Sequence, residues 1–157
     1  MSAPSAGQEL VEQVISQGVR TAVCRKAGVR VSLSTGDADR LGVLLESIRI
    51  DRIPGTLSRA MLRRRLLKLA EKLDYLPEKL ALVEHDPERT GALMRSDSPR
   101  WRGEDREYFE LRVEMNRATT FQRFRQPPGG LPRQSAAILL DRTNLARLVD
   151  DLVAAVA

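Results

Sequence analysis

Apolar residues at the start of the chain recur with two different periods. Spacings of three and four over residues 8–17 predict a short helix that Gly18 ends. Residues 21–26 and 29–34 alternate between apolar and polar positions on either side of Ala27 and Gly28, which predicts a β-hairpin. The chain is therefore expected to begin with a helix followed by two antiparallel strands.

Two further helices are predicted before Pro77. Apolar residues at positions 41, 44, 45 and 48 indicate the first, and Thr35 and Asp37 are candidate caps. The second follows Pro54 and Gly55, and its leucines recur at spacings of four, three, four and three residues. These leucines are Leu62, Leu66, Leu69, Leu73 and Leu76.

Beyond Pro77 the dominant period becomes two. Five segments are predicted strands: residues 80–82, 92–96, 108–115, 119–126 and 136–140. In the third, alternate residues are expected to face the core and the residues between them to face outward. The inward set is Phe109, Leu111, Val113 and Met115. Asn116 and Arg117 form a predicted turn, and Asp141 or Thr143 caps a final amphipathic helix.

These elements predict an α+β fold. We expect an antiparallel β-meander of four or five strands with helices packed on one face, preceded by a helix–hairpin–helix portion. Residues 1–157 are expected to form a single domain, in which residues 1–77 are the helix–hairpin–helix–helix portion and residues 78–157 the meander and last helix. The prolines at 54 and 77 indicate breaks between elements rather than a linker.

Composition favours a globular chain. Of 157 residues, 42% are hydrophobic and 30% charged, and no apolar run approaches the roughly 18–20 residues that a membrane span needs. Cys24 is alone, so an internal disulfide cannot form, and the first residues lack the features of a signal peptide. A soluble, cytoplasmic protein is expected.

The charge distribution suggests a polyanionic partner. The net charge is +5, and the surplus lies in residues 1–77, which have 13 basic and 8 acidic residues, against 13 of each in residues 78–157. An arginine-rich composition can also reflect a GC-rich genome. Four basic residues on one flank of the leucine-rich helix would contact phosphates or form an ordinary solvated face: Arg64, Arg65, Lys68 and Lys72.

The predicted strand 119–126 contains a conflict. Phe121 shares a face with Arg123 and Arg125, whereas Phe124 lies on the other face, so a regular register cannot bury both rings in one core. Either a bulge rotates the strand, or one ring is exposed among arginines and can stack a base while they neutralise phosphates. Trp101 is likewise an aromatic residue flanked by arginines, so the same kind of contact is open to it. Alternatively, the arginines pair with acids of the preceding strand.

The sequence contains few of the residue combinations that are typical of enzyme active sites. One histidine and one cysteine are too few for a zinc cluster or a Cys–His pair. The chain also lacks a glycine-rich phosphate loop after a strand and a strand–serine–helix elbow. His85, among acids at 84, 86 and 88, is better interpreted as a turn residue than as an acid–base or metal site. No enzymatic activity, cofactor or metal is expected.

The second half has a recognisable order of elements. An alternating strand, a turn, a strand ending in arginine and a Pro/Gly loop precede residues 137–141, which lead into a leucine-bearing helix. Residues 107–153 in this respect resemble the single-strand-binding transcriptional coactivator family and the repeats of PUR-type proteins. The resemblance implies single-stranded nucleic-acid binding by a curved sheet, with Arg112, Arg123 and Arg125 at the matching basic positions. Ser135-Ala136 stands where the coactivator family typically has Lys-Gly.

We therefore expect a small, basic, non-catalytic binding protein whose partner is nucleic acid and which does not associate with membranes. The alternative is a protein–protein interaction module, an adaptor or chaperone-like dimer that uses a sheet edge or the leucine-rich helix. The candidate nucleic-acid-binding residues are Arg64, Arg65, Lys68, Lys72, Trp101, Arg112, Arg117, Phe121, Arg123 and Arg125.

Overall fold

A computed structural model describes residues 3–26, 28–52, 59–86, 91–114 and 118–157. Within these ranges the helices are α1 Ala6–Gln17, α2 Arg59–Lys72 and α3 Arg142–Val156. The described strands are β1 Thr21–Lys26, β2 Val29–Ala38, β3 Val43–Arg52, β4 Leu80–Asp86, β5 Gly91–Ser96, β6 Arg100–Arg102, β7 Asp105–Glu114, β8 Ala118–Gln126, β9 Gln134–Ala136 and β10 Ile138–Leu140. None of the helices in these ranges is long and apolar enough to cross a membrane.

All the described strands belong to one antiparallel sheet. Its main order is β1-β2-β3-β8-β7-β5-β4, and the short strands β6, β9 and β10 pair with β7, β8 and β3. The pairing of β3 with β8 joins the first hairpin to the later strands. The α+β prediction is therefore confirmed, but the described sheet has ten strands rather than four or five.

The helix predicted over residues 41–48 is wrong, and so is the helix–hairpin–helix portion that depended on it. This segment enters β3, where Leu45 pairs with Thr35 and Ser47 with Ser34, so that one residue of β3 is unmatched. The extra residue is a β-bulge. It spaces the buried residues of β3 by two, three and two, which imitates a helical period: Val43, Leu45, Ile48 and Ile50.

Later elements also differ from prediction in their bounds. Strand β4 extends beyond residue 82 to Asp86, so His85 is a strand residue paired with Ala92 rather than a turn residue. Helix α2 ends at Lys72, before Pro77, although Leu73 and Leu76 remain buried. Strand β6, for which no strand was predicted, forms a tight hairpin with β7. The predicted strand 136–140 is divided, because β9 pairs with β8 whereas β10 pairs with β3.

The helices form a layer on one side of the sheet. Helix α1 packs on β1 and β2, α3 on β3, and α2 on β4, and α3 also contacts both other helices. Gly7 allows α1 to cross α3 closely, because a Cβ atom there would lie 2.0 Å from the Ala146 carbonyl oxygen. Asp150 of α3 accepts a hydrogen bond of 2.8 Å from the Gly7 backbone N–H and so anchors the start of α1.

Alternation along the strands gives the sheet two unlike faces. The core face lies under the helices and includes Phe109 and Phe121, whose rings stack with centroids 5.2 Å apart. The opposite face, which we call the open face, is covered by none of the described helices and carries mainly polar and charged side chains.

Candidate nucleic-acid interface

The centre of the open face is a polar surface with arginines in it. Cross-strand pairing places Arg49 of β3 beside Thr120 of β8, and Thr120 beside Arg112 of β7. Ser32 of β2 continues this row, since it pairs with Arg49. The adjacent row is also polar: Ser34, Ser47, Gln122 and Glu110.

A pair of like charges lies near the β1 edge. Arg25 and Arg30 are directly opposite each other in the β1–β2 ladder, and both are exposed. Neither forms an ion pair with any residue that the structure describes. Arg30 also lies opposite Asp51, but Asp51 pairs instead with Arg49 at 3.0 Å. Because like charges directly opposite each other destabilise a sheet, an anion bound here would relieve repulsion.

One carboxylate gathers three arginines in the middle of the open face. We call Glu110, Arg95, Arg112 and Arg133 the Glu110 cluster. Glu110 is 3% exposed, and its oxygens accept hydrogen bonds from Arg133 at 2.7 Å, Arg95 at 3.0 Å and Arg112 at 3.3 Å. Burial by itself would raise the pKa of the Glu110 carboxyl, but the bonds and charges of Arg133 and Arg95 hold it below its ordinary value. The carboxylate is therefore ionised at neutral pH.

The same arginines cover an aromatic pair. Tyr108 of β7 and Phe124 of β8 lie opposite each other on the open face, with ring centroids 6.0 Å apart. Arg95 and Arg106 lie over the Tyr108 ring at 5.2 and 5.4 Å. The sequence prediction that Tyr108 and Glu110 point away from the helices holds, but both are buried beneath guanidinium groups rather than exposed.

Arg133 reaches the open face from the loop between β8 and β9. Gly129 and Gly130 in this loop have φ angles of 78° and 74°, a conformation that other residues rarely adopt. Besides Glu110, Arg133 also donates a hydrogen bond of 3.2 Å to the Tyr108 hydroxyl. The hydrogen bond to Glu110 raises the pKa of Arg133 further above its already high value, so the side chain is a permanent cation.

Phe121 and Arg123 lie on the core face, opposite the open face. Phe121 is 1% exposed, and Arg123 is buried between Glu78 at 2.7 Å and Glu107 at 3.6 Å. The conflict in the predicted strand is resolved without a bulge in β8, because the two faces of the sheet each take one ring. Phe121 enters the core and Phe124 lies beneath Arg133.

Arg125 also belongs to the core face, at the end of β8. It pairs with Glu107 at 2.7 Å and with Asp105 at 4.0 Å. Arg102 is a further partner of Glu107, at 3.3 Å. Arg125 therefore pairs with acids of the neighbouring strand β7, as the alternative interpretation of the sequence expected, but through Glu107 and Asp105 rather than Glu110 and Glu114. The nearest partner of Arg123 is Glu78, which precedes β4 and lies outside the hairpin.

Trp101 is the exposed aromatic ring of the predicted set. It is 65% exposed and lies opposite Arg106 in the β6–β7 hairpin, which places it on the open-face side. Arg112 is on the same face and half-exposed. These two predicted residues are therefore brought to one surface, with Tyr108 and Glu110 between them along β7.

The predicted residues of α2 lie on the opposite side of the molecule. Arg64, Lys68 and Lys72 are exposed in the helical layer, while Arg65 is half-buried and donates a hydrogen bond of 2.7 Å to the Ala157 carbonyl oxygen. One ligand strand cannot lie flat on both surfaces at once. Arg117 lies outside the described residues.

Sequence reasoning missed much of the open face. Arg49 directly follows the segment that was predicted to be a helix and lies in β3, and Arg25 and Arg30 lie in the predicted hairpin but were not among the candidate binding residues. Arg95 and Arg133 lie far from Glu110 in sequence, and only the sheet register brings Arg95 beside it. The alternation of Ser32 and Arg30 with buried valines was a usable signal, because it marks a sheet face that points away from the core.

The chemistry available here is ionic and hydrogen-bonding. In the part of the chain that the structure describes, no three His, Cys, Asp or Glu side chains are grouped to hold a metal ion. Comparisons of this chain with protein-family models, with curated proteins and with solved structures found no match.

Proposed function

We propose that this chain binds single-stranded nucleic acid across its open face. The observation that carries the proposal is a sheet face that the described helices leave uncovered and that presents Arg25, Arg30 and Arg112 to solvent together with Trp101. Phosphate contacts by arginine supply affinity without sequence preference, and an exposed aromatic ring supplies a stacking surface for a base.

The spacing of the arginines supports contacts to several phosphates. Neighbouring strands lie about 4.8 Å apart, so Arg49 and Arg112, which are separated by β8, have backbones about 10 Å apart. Arg25 and Arg30 extend the same surface by two more strands. A flexible single strand that follows this direction across the sheet can meet guanidinium groups on β1, β2, β3 and β7, with Thr120 of β8 between Arg49 and Arg112.

A protein-interaction role is favoured by a different observation. Leu41 is 85% exposed and Leu139 66% exposed at the end of the sheet where β10 pairs with β3. A Cβ atom on Gly42 would lie 2.9 Å from the Leu140 carbonyl oxygen, so the backbones of the two segments are closely packed at this corner while Leu41 and Leu139 face solvent. Exposed leucines of this kind suit an apolar protein partner.

Titration of fluorescent single-stranded and double-stranded oligonucleotides at two salt concentrations tests the proposal. Binding to the single strand is expected at low salt, with affinity that falls steeply as salt is raised. Absence of binding at low salt would contradict the proposal. A concentration-dependent oligomer that ignores salt and oligonucleotide would favour the protein-interaction role.

A further inference from the structure

The Glu110 cluster holds more positive charge than its own carboxylate neutralises. Three guanidinium groups share one carboxylate, which leaves a surplus of two positive charges within the cluster. The side chain of Glu110 is 3% exposed, whereas those of Arg95, Arg112 and Arg133 are 35%, 52% and 33% exposed. The acid therefore lies beneath the cations, and the outward side of the cluster is positive.

The guanidinium groups retain donors for a ligand. Arg112 donates a single hydrogen bond to Glu110, through Nη2 at 3.3 Å, and each guanidinium has five N–H donors. Arg95 uses Nε and Nη2 on Glu110, which leaves the N–H groups of Nη1. Because Glu110 already orients all three side chains, a ligand finds them in place and loses little of its binding energy to ordering them.

We infer that the Glu110 cluster binds a phosphate monoester dianion, as found at the phosphorylated end of a nucleic-acid strand. The surplus of two charges matches a dianion, whereas each internal phosphodiester carries one charge. Arginine forks suit phosphate oxygens, since they donate paired hydrogen bonds. The inference rests on the proposed function, because the strand on the open face would deliver its end to the cluster.

Oligonucleotides with and without a terminal phosphate test the inference. Four single strands are compared at pH 7.5: one with hydroxyl ends, the same strand with a 5′-phosphate, the same strand with a 3′-phosphate, and a strand longer by two nucleotides, which gains the same charge as internal phosphates. We expect one terminal phosphate to tighten binding about tenfold, or about 1.4 kcal/mol. The longer strand should gain much less.

Two variants test whether the preference for a terminal phosphate arises at the Glu110 cluster. Arg112→Ala should remove the preference for the terminal phosphate, because its side chain lies on the solvent side of the cluster and makes one bond to Glu110. Arg49→Ala, on the same face but outside the cluster, should weaken all strands alike and keep the preference. The preference should also fade below about pH 6, where the monoester gains a proton.

Failure of the inference and failure of the proposed function give different results. If neither phosphorylated strand gains more affinity over the hydroxyl-ended strand than the lengthened strand does, the inference is overturned and nucleic-acid binding is left intact. If no strand binds at low salt, the proposed function fails. The cluster is then tested separately by measuring the melting temperature of the protein with and without inorganic phosphate. A phosphate-dependent rise in the melting temperature that Arg112→Ala abolishes would support an anion site, and an unchanged melting temperature would overturn it.

Discussion

The guanidinium carbon of Arg133 lies 3.7 Å from the centre of the Phe124 ring, on the sheet face that the described helices leave uncovered. The same side chain bonds Glu110 and Tyr108, so it holds the β8–β9 loop against the sheet. Phe124 is thereby half-buried without belonging to the core. The Phe124 ring packs beneath Arg133 and is not free to stack on a base, whereas the Trp101 ring is exposed on the open face.

Replacement of Arg133 by alanine should loosen this loop without unfolding the sheet. The variant loses a cation–π contact and the strongest hydrogen bond to Glu110, and we expect a loss of about 1–2 kcal/mol in the free energy of unfolding. Urea denaturation measures it. Arg142→Ala, at an exposed position at the start of α3, is the control and should be nearly neutral. A loss as small as that of the control would show that Arg133 does not anchor the loop.

The two phenylalanines of β8 should differ sharply in their contribution to stability. Phe121→Ala leaves a cavity against Phe109 in the core and should cost about 3–5 kcal/mol. Phe124→Ala should cost considerably less, because its ring is only half-buried and the site is open to water. Comparison of the two unfolding midpoints checks the assignment of faces. Equal losses would contradict it.

The buried ion pair between Arg123 and Glu78 should show strong coupling. Arg123→Met leaves Glu78 buried without its main partner, at 2.7 Å in the native protein, and should cost about 3–5 kcal/mol. Adding Glu78→Gln to that variant should recover part of the loss, because the uncompensated charge is removed. A double-mutant cycle measures the coupling energy. Strictly additive losses would mean that the two groups act independently.

Acid should destabilise the protein through its two arginine-bound glutamates. Burial raises the pKa of Glu107 and of Glu110, but hydrogen bonds and charges of their arginines bring both pKa values below the ordinary value. An unfolded glutamate titrates at about pH 4.3. Between the lowered folded pKa values and that point the unfolded chain binds more protons, so the free energy of unfolding decreases as pH falls through this window.

Urea denaturation between pH 7 and pH 3 measures this dependence. The contribution of the two glutamates should be complete above about pH 4.3 and should be lost below it. In Glu107→Gln the decrease should be shallower, since one of the two groups no longer titrates. An equally steep decrease in the variant would show that other carboxyls are responsible.

Sequence patterns predicted helices and strands better than they predicted which side chains contact each other in the folded chain. The leucine stripe of α2 and the alternation of Phe109, Leu111 and Val113 gave the correct secondary structure, because each depends on local period alone. The same reasoning predicted a helix where β3 lies, because the unmatched residue of the bulge changes the spacing of apolar residues from that of a strand to one that resembles a helix. Buried arginines such as Arg123 escaped prediction because their acids come from other strands and loops.

The candidate site was less predictable than the fold. Trp101 and Arg112 were selected from sequence and lie on the open face, whereas Phe121 and Arg123 were selected for the same reason and lie in the core. The sequence shows which residues share a face of one strand, but not which face the helices cover. That choice depends on the packing of α1, α2 and α3 against the whole sheet.

The proposed interface is tested most directly by two matched double variants in a salt titration with one fluorescent single strand. Arg25→Ala with Arg30→Ala removes two exposed charges from the open face, and Arg64→Ala with Lys68→Ala removes two from α2. None of these four side chains forms an ion pair in the described part of the chain. The open-face variant should bind more weakly, and its plot of log affinity against log salt should be shallower by about 1.4, while the α2 variant should match the unmodified protein. Weakened binding by the α2 variant alone would contradict the account and place the ligand on the helical side.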